Sequence, residues 1–251
     1  MGPGSGAVLR RGGREVRGSE RAASLPSGDA AARIKGMAYS VVTSRPDLVE
    51  AAGEAFRQRW PEFIFHDPIP PRYMPRVHEY FPEYDILLLD QGQVAAGGWG
   101  VPFRYDGPLD ELPEGYDAAL VRAIEDHESG RTATAFSFMA AAVNPTYDKK
   151  GLAAEVLSRL LERAAAAGLG HVFAPVRPTW KHRYPLVSMA EYASWKRDDG
   201  WSIDPWIRTH QRMGGRIVGT APNSMVIPGT VRDWEQLGRH GASGQRRLRH
   251  P

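Results

Sequence analysis

Residues 136–168, FSFMAAAVNPTYDKKGLAAEVLSRLLERAAAAG, constrain this chain more than any other stretch. They read as an apolar strand, a short polar loop closing on Gly151, and a long amphipathic helix. Residues 136–143 form an apolar run of strand length, and Asn144-Pro145 stops it because proline cannot continue a ladder. Beyond Gly151, Leu152, Val156, Leu157, Leu160, Leu161 and Ala164 recur at helical spacing and make one apolar face. Gly168 is placed to cap that helix. A strand that feeds a helix through a glycine leaves amides free at the helix N-terminus, and such a site attracts anions such as phosphates.

A chain of 251 residues can bury one sizeable core, which predicts one domain or at most two. It has no cysteine, so disulfides and thiolate metal sites are excluded, as suits a reducing compartment. No apolar run approaches the roughly 18 residues of a membrane span. The arginines near the N-terminus have no hydrophobic region behind them, unlike a secretory signal. A soluble, cytoplasmic protein is expected, with no membrane partner. The net charge of +3 is unevenly spread. Residues 1–36 and 239–251 carry +4 each, which leaves −5 on residues 37–238. The basic character therefore sits on the ends, and nucleic-acid binding is not expected from it.

Residues 1–36, rich in Gly, Arg, Ala and Ser, show no hydrophobic period and are expected to be a disordered extension or tag. Residues 37–238 are expected to form a single domain, and 239–251 a basic flexible tail. Within the domain, a strand at 39–43 precedes a helix at 44–59, followed by a proline- and aromatic-rich segment, 60–84, which reads as a broken helix–loop–helix, too interrupted for one regular element. Two strands, 85–90 and 94–105, are joined by Gln91-Gly92-Gln93. Gly97, Gly98 and Gly100 inside the second imply bulges or close backbone approach around Trp99. A polar excursion with a short helix at 117–128 leads to the opening strand and helix. After these come a strand at 171–175, an aromatic stretch, a helix at 205–213 and a final hairpin of 216–218 with 224–227. Thr230 and Asp233 have capping-box spacing.

This order and the central motif resemble the GCN5-related N-acetyltransferase (GNAT) superfamily. The family pattern R/Q-x-x-G-x-G/A falls on Asp148, Lys149, Lys150, Gly151, Leu152 and Ala153; Gly151 and Ala153 match and Asp148 departs from it. Val143, Asn144, Pro145 and Tyr147 also look family-like. The resemblance implies an α/β (α+β) fold, a mixed, mostly antiparallel sheet flanked by helices, and a pyrophosphate of coenzyme A bound by Asp148, Lys149, Lys150, Gly151, Leu152, Ala153 and Ala154. It also implies that the fourth and fifth strands splay apart and admit pantetheine along Ala141, Ala142 and Val143. Physics supports the cradle, since Gly151 permits close approach, Ala153 keeps the surface low, and Lys149 and Lys150 add positive charge. Asp148 beside a phosphate must turn away, pair with a cation, or cap the helix.

The family motif A-x-x-L-Y-x-x-x-G-F aligns with residues 207–215 and puts His210 where a tyrosine protonates the departing thiolate. A histidine with a reference pKa near 6.5 suits acid–base work at neutral pH; Tyr184 and Tyr192 are further candidates for that proton. No acid lies on 133–143, so the general base is open, with Glu62, Asp67 and Glu191 as remote candidates. Between the fifth strand and the fourth helix, residues 176–203 form a long aromatic insert. Its Trp180, Trp195 and Trp201, together with Trp99, are candidate substrate contacts, while a dimer surface is the competing reading of the same aromatics. Asp198, Asp199 and Asp204 read as solvated loop carboxylates rather than ligands, and no metal is expected. The expected activity is acyl transfer from acetyl-CoA or another acyl-CoA to a small amine, by direct attack on the thioester, in a monomer or homodimer. The alternatives are a non-catalytic acyl-CoA-binding module, or acyl transfer from a carrier protein or aminoacyl-tRNA; an aminoacyl group itself is not the expected cargo.

Overall fold

The computed structural model describes residues 4–11, 30–34 and 37–242. Their strands are β1 (Gly4–Arg11), β2 (Ala30–Ile34), β3 (Met37–Thr43), β4 (Asp85–Asp90), β5 (Gln93–Phe103), β6 (Ala135–Val143), β7 (His171–Val176) and β8 (Gly215–Met225). They form one sheet in the order β2-β3-β4-β5-β6-β7-β1-β8. Every described pairing is antiparallel except β6 with β7. The helices are α1 (Pro46–Arg57), α2 (Ile69–Tyr80), α3 (Tyr116–Glu128), α4 (Leu152–Ala166), α5 (Met189–Ser194), α6 (Pro205–Arg212) and α7 (Val231–Ala242).

The mixed, mostly antiparallel sheet flanked by helices is the architecture that the resemblance implied. On α4, Leu152, Val156, Leu157, Leu160 and Ala164 are all buried, as their spacing requires. The glycines of β5 explain how closely the layers approach. A Cβ on Gly97 would touch Phe56 of α1, and one on Gly98 would lie 2.6 Å from both Ala140 O and Val156 Cγ1. Adjacent strand residues face opposite sides, so α1 covers one face of the sheet and α4 the other. Of the two features expected around Trp99, these glycine contacts are the close backbone approach; the register shift between Trp99 and Gly100 puts its extra residue, Met139, on β6 instead.

Three expectations are corrected. Residues 1–36 do not lack structure throughout, since β1 and β2 belong to the sheet. Backbone ladders hold these strands, and a backbone ladder needs no hydrophobic period. The final hairpin is instead the single strand β8, whose pairing partner is β1. The ladder is irregular between Gly4 and Gly6, opposite Pro222, which has no N–H to give. Segment 60–84 is by contrast the broken helix–loop–helix expected, a short helical turn at Glu62–His66 followed by α2. Pro70 and Pro71 lie in its first turn, where an N–H has no partner to lose, and only Pro75 sits inside. Lastly, α7 extends through residues 239–242, which were expected to be tail, while 12–29, 35–36 and 243–251 lie outside the described residues. The capping box at its start does form: Thr230 N donates to Asp233 Oδ2 at 2.8 Å, and Asp233 N donates to Thr230 Oγ1 at 3.3 Å.

Since neither Ala140 O nor Val156 can retreat without shifting a strand or α4, Gly98→Ala should destabilise the protein by about 1–3 kcal/mol. Thermal denaturation checks this, and a Gly53→Ala control, on α1 with open space around it, should not be destabilised.

Candidate active site

The loop after β6 is shaped at its start by the Asn144 side chain, whose Oδ1 accepts from Thr146 N at 3.1 Å, and at its end by backbone geometry. Asn144 ties it to β5: its N donates to Ala95 O at 2.9 Å and its Nδ2 to Val94 O at 3.0 Å. Two residues then take left-handed conformations, Lys149 at φ 63° and Gly151 at φ 86°. No side chain caps α4 at Gly151, and a Cβ there would project into open space. The first-turn amides of Leu152, Ala153 and Ala154 thus have no intrahelical acceptor and face outward, which is the physical requirement for holding an anion. Lys150 Nζ lies 4.6 Å from the centre of the Tyr147 ring.

Asp148 neither caps the helix nor faces the anion position alone. Its Oδ1 accepts from Arg59 Nη2 at 2.5 Å, while Arg59 Nε donates to Val143 O at 2.6 Å. Arg59, just beyond α1, therefore neutralises the motif's odd acid and pins the end of β6. No periodicity marks this residue, so sequence reading missed it.

The ladder between β6 and β7 has three pairs: Ala135 with His171, Phe136 with Val172, and Ser137 with Phe173. β6 continues alone on that side to Val143. Because Asn144 N points to β5, alternation aims the backbone of Ala142 at β5 and that of Ala141 and Val143 into the gap. Beside the gap, α6 packs Ile207 against Ala174 and Val176. On its next turn, His210 lies 4.7 Å from Trp206 and 6.2 Å from Phe138, ring to ring.

His210 is 6% exposed and its Nε2 has no hydrogen-bond partner. Burial pushes its pKa down to about 4, so the ring is neutral at pH 7. This differs from the near-neutral titration expected, because the site is apolar. Tyr192 is wholly buried and donates to Asp204 Oδ2 at 2.9 Å; burial and that bond raise its pKa. Asp204 also accepts from the amides of Trp180, Trp206 and Ile207, so it is the hub of the insert. Tyr184 joins Tyr192 and Trp195 in an aromatic cluster, at 5.7 and 5.0 Å between ring centres. Arg183 covers the Trp180 ring. Trp201 is exposed at a turn, and Trp99 stands apart on β5, edge-on to Tyr116 at 6.2 Å. The structure thus gathers Trp180, Trp195, Tyr184 and Tyr192, and leaves Trp99 and Trp201 outside that group.

A shallow recess opens where the β6–β7 ladder ends, lined by Phe103, Leu112, Gly115, Ser137, Phe173 and Pro175. Next to Gly115, Tyr116 N donates to Ser224 Oγ at 3.0 Å, and Asp117 Oδ2 accepts from Val226 N at 3.0 Å. Asp117 also faces Asp67; burial first, and then the Asp67 carboxyl, push its pKa up to about 7. Glu62 and Glu191 are exposed. Among the described residues, no group of three or more His, Asp and Glu side chains is arranged to hold a metal ion, and no helix is long and apolar enough to cross a membrane.

A splayed parallel pair beside an amide cradle defines an acyl-CoA-dependent acyltransferase of the GNAT type. Comparison with known proteins agrees. The chain is 30% identical over 220 residues to arginine N-acetyltransferase avaD of Aspergillus versicolor, covering 80% of this chain and 75% of that one. Among solved structures, the loading GNAT-like domain of CurA from Lyngbya majuscula superposes with a TM-score of 0.57 at 19% identity, over 79% of this chain and 92% of that one. The GphF GNAT-like decarboxylase in complex with isobutyryl-CoA gives 0.54 at 18%, over 71% and 87%. No family model matches. The chain belongs to the GNAT superfamily and is an N-acyltransferase that uses an acyl-CoA.

Two predictions follow from the geometry. Arg59→Ala leaves Asp148 uncompensated beside the anion and should weaken acetyl-CoA binding by roughly 5- to 20-fold; adding Asp148→Ala should recover most of the loss, as a calorimetric double-mutant cycle would read. Asp117 holds its proton more tightly folded than unfolded, so its contribution to stability is full below its ordinary pKa of 3.8 and is lost as pH rises through about 7. Melting temperature should fall across that window in the wild type, and Asp117→Asn should flatten the fall.

Proposed function

We propose that this N-acyltransferase moves an acetyl group from acetyl-CoA to an amine of arginine or of a small molecule that carries an arginine side chain. The observation that supports the acceptor is the 30% identity, along three quarters of its length, to a protein named as an arginine N-acetyltransferase. In this reading the pyrophosphate rests on the amides of Leu152, Ala153 and Ala154, with Lys149 and Lys150 nearby and Arg59 holding Asp148 aside. Pantetheine runs along β6, where the backbone groups of Ala141 and the N–H of Val143 face the gap, the Val143 carbonyl being held by Arg59. The thioester then reaches the Phe138 end, near His210 and the recess beside Ser137.

The amine nitrogen attacks the thioester carbon, the carbon–sulfur bond breaks, and the sulfur leaves with its electron pair. The nitrogen loses one proton and the sulfur gains one. A neutral imidazole carries one N–H and one lone pair, so His210 can pass that proton without ever being charged in the resting enzyme. No enzyme side chain is acylated. Tyr192 has no part in this step, because its hydroxyl is committed to Asp204.

The test is thiol release from acetyl-CoA over a panel of arginine, agmatine, lysine and spermidine, with mass spectrometry of the product. Acetylated guanidino compounds are expected; turnover of the other amines alone would overturn the acceptor. His210→Ala should lower kcat about 100-fold with acetyl-CoA affinity within about 2-fold of wild type. Unchanged kcat would remove His210 from the proton path.

A further inference from the structure

The buried carboxylates of this protein are satisfied with one exception. Asp126 accepts from the Arg104 amide at 2.6 Å and pairs with Arg131 at 2.7 Å. Asp204 receives the four donors described above. Asp67 and Asp117 differ. Asp67, 1% exposed, spends Oδ1 on the Ile69 amide at 2.9 Å, and Asp117 spends Oδ2 on the Val226 amide. Asp67 Oδ2 and Asp117 Oδ1 are buried without a donor, and neither residue has a Lys, Arg or His partner among the described residues. Asp67 is buried and Asp117 half-buried, and two carboxyls whose facing oxygens are shut off from water need a shared proton or a cation between them. Each also lies by a helix N-terminus, Asp67 at α2 and Asp117 at α3, which favours the ionised form. The raised pKa of Asp117 fits the empty state, in which the proton takes the cation's place.

We propose that Asp67 and Asp117 form the seat for the guanidinium of the acceptor, one carboxylate oxygen from each closing on its planar fork. This rests on the arginine-type acceptor above and adds to it the residues that read the side chain. A guanidinium offers several N–H donors in one plane, so it can satisfy two carboxylates at once, whereas an ammonium is a point charge. The Tyr116 hydroxyl lies close enough to the pair for both carboxyls to raise its pKa, after burial, and its ring stands edge-on to Trp99. The position also suits the chemistry, because Gly115, two residues before Asp117, lines the recess that opens at Ser137 and Phe173, where β6 and β7 part. Asp67 sits on the connection between α1 and α2, and Asp117 against the irregular segment after β8. A cation entering between them has to part only these two segments, not the sheet.

Citrulline, which replaces the guanidinium by a neutral urea of nearly the same shape, tests the seat. Wild-type enzyme should favour arginine over citrulline by about 30-fold or more in kcat/KM. Asp117→Asn and Asp67→Asn should raise KM for arginine by a similar factor and cut that preference to a few-fold, with KM for acetyl-CoA within about 2-fold of wild type. Variants that keep the acetyl-CoA KM and also keep the arginine preference would make the pair a structural latch between α3 and β8, and would overturn the seat alone. Wild-type enzyme that uses citrulline as well as arginine would overturn it too, even if neither variant folds. Wild-type enzyme that acetylates other amines but neither arginine nor agmatine would remove the acceptor assignment and the seat together.

Discussion

The site depends on a parallel strand pair that stops after three residues. A longer ladder between β6 and β7 would close the sheet and leave no passage through it. Two features end it. β6 is bulged around Met139, where its register against β5 shifts, so its edge no longer tracks β7. β7 carries Pro175 two residues past the last pair, and proline has no N–H to give to a ladder on either side. Hydrogen bonds forgone in the gap have to be recovered by something else, and a pantetheine amide chain has the same donors and acceptors as a strand. The glycines of β5 serve the same end from behind. They draw α4 tight against the sheet at Gly98, which fixes the first turn of α4 relative to the end of β6.

Acids in and around the site are handled in three ways, and the differences carry information. Asp148 is half-exposed, and a neighbouring arginine answers it, at modest energetic gain given 53% side-chain exposure. Asp204 is fully buried and saturated by a hydroxyl and three amides, so it organises the aromatic insert and lends nothing to catalysis. Asp67 and Asp117 are left one oxygen short each. A fold that satisfies Asp126 and Asp204 so fully has the means to satisfy this pair as well. A buried pair left without a donor is therefore informative where a saturated one is not.

How much of this was legible in the sequence differs by element. The β6–loop–α4 unit was readable because each part has its own local signal: apolar length for the strand, Asn-Pro for the stop, 3.6-residue spacing for the helix, Gly151 for the turn. The close approach around Trp99 was readable from its glycines, whereas the bulge of β6 at Met139 was not. β1 and β2 were not, because both are backbone-paired strands in segments whose composition is that of a solvated tail. The supposed hairpin of β8 failed for the same reason, since its true partner, β1, lies more than two hundred residues away along the chain. Arg59 and Asp117 escaped notice because an arginine after an amphipathic helix and an aspartate in a first helical turn are ordinary at the level of sequence. Only the tertiary fold sets one against Asp148 and the other against Asp67. Asp67 had been picked out only as a remote candidate base, with nothing to link it to Asp117.

His210 shows how burial reshapes a role inferred from a motif. By position it replaces a tyrosine, whose phenol is a neutral hydrogen donor near pH 7. An ordinary histidine would replace that neutral donor with a group half charged near its own pKa, and a charged ring in the apolar gap would have to be desolvated each time CoA enters. Packing between Phe138 and Trp206 prevents this by holding the ring neutral down to about pH 4. A neutral ring keeps an N–H donor and adds a lone pair, the two groups that the proposed proton path would use. An unpartnered Nε2 in such a place is costly, and a thiol seated against it, as proposed, would relieve that cost.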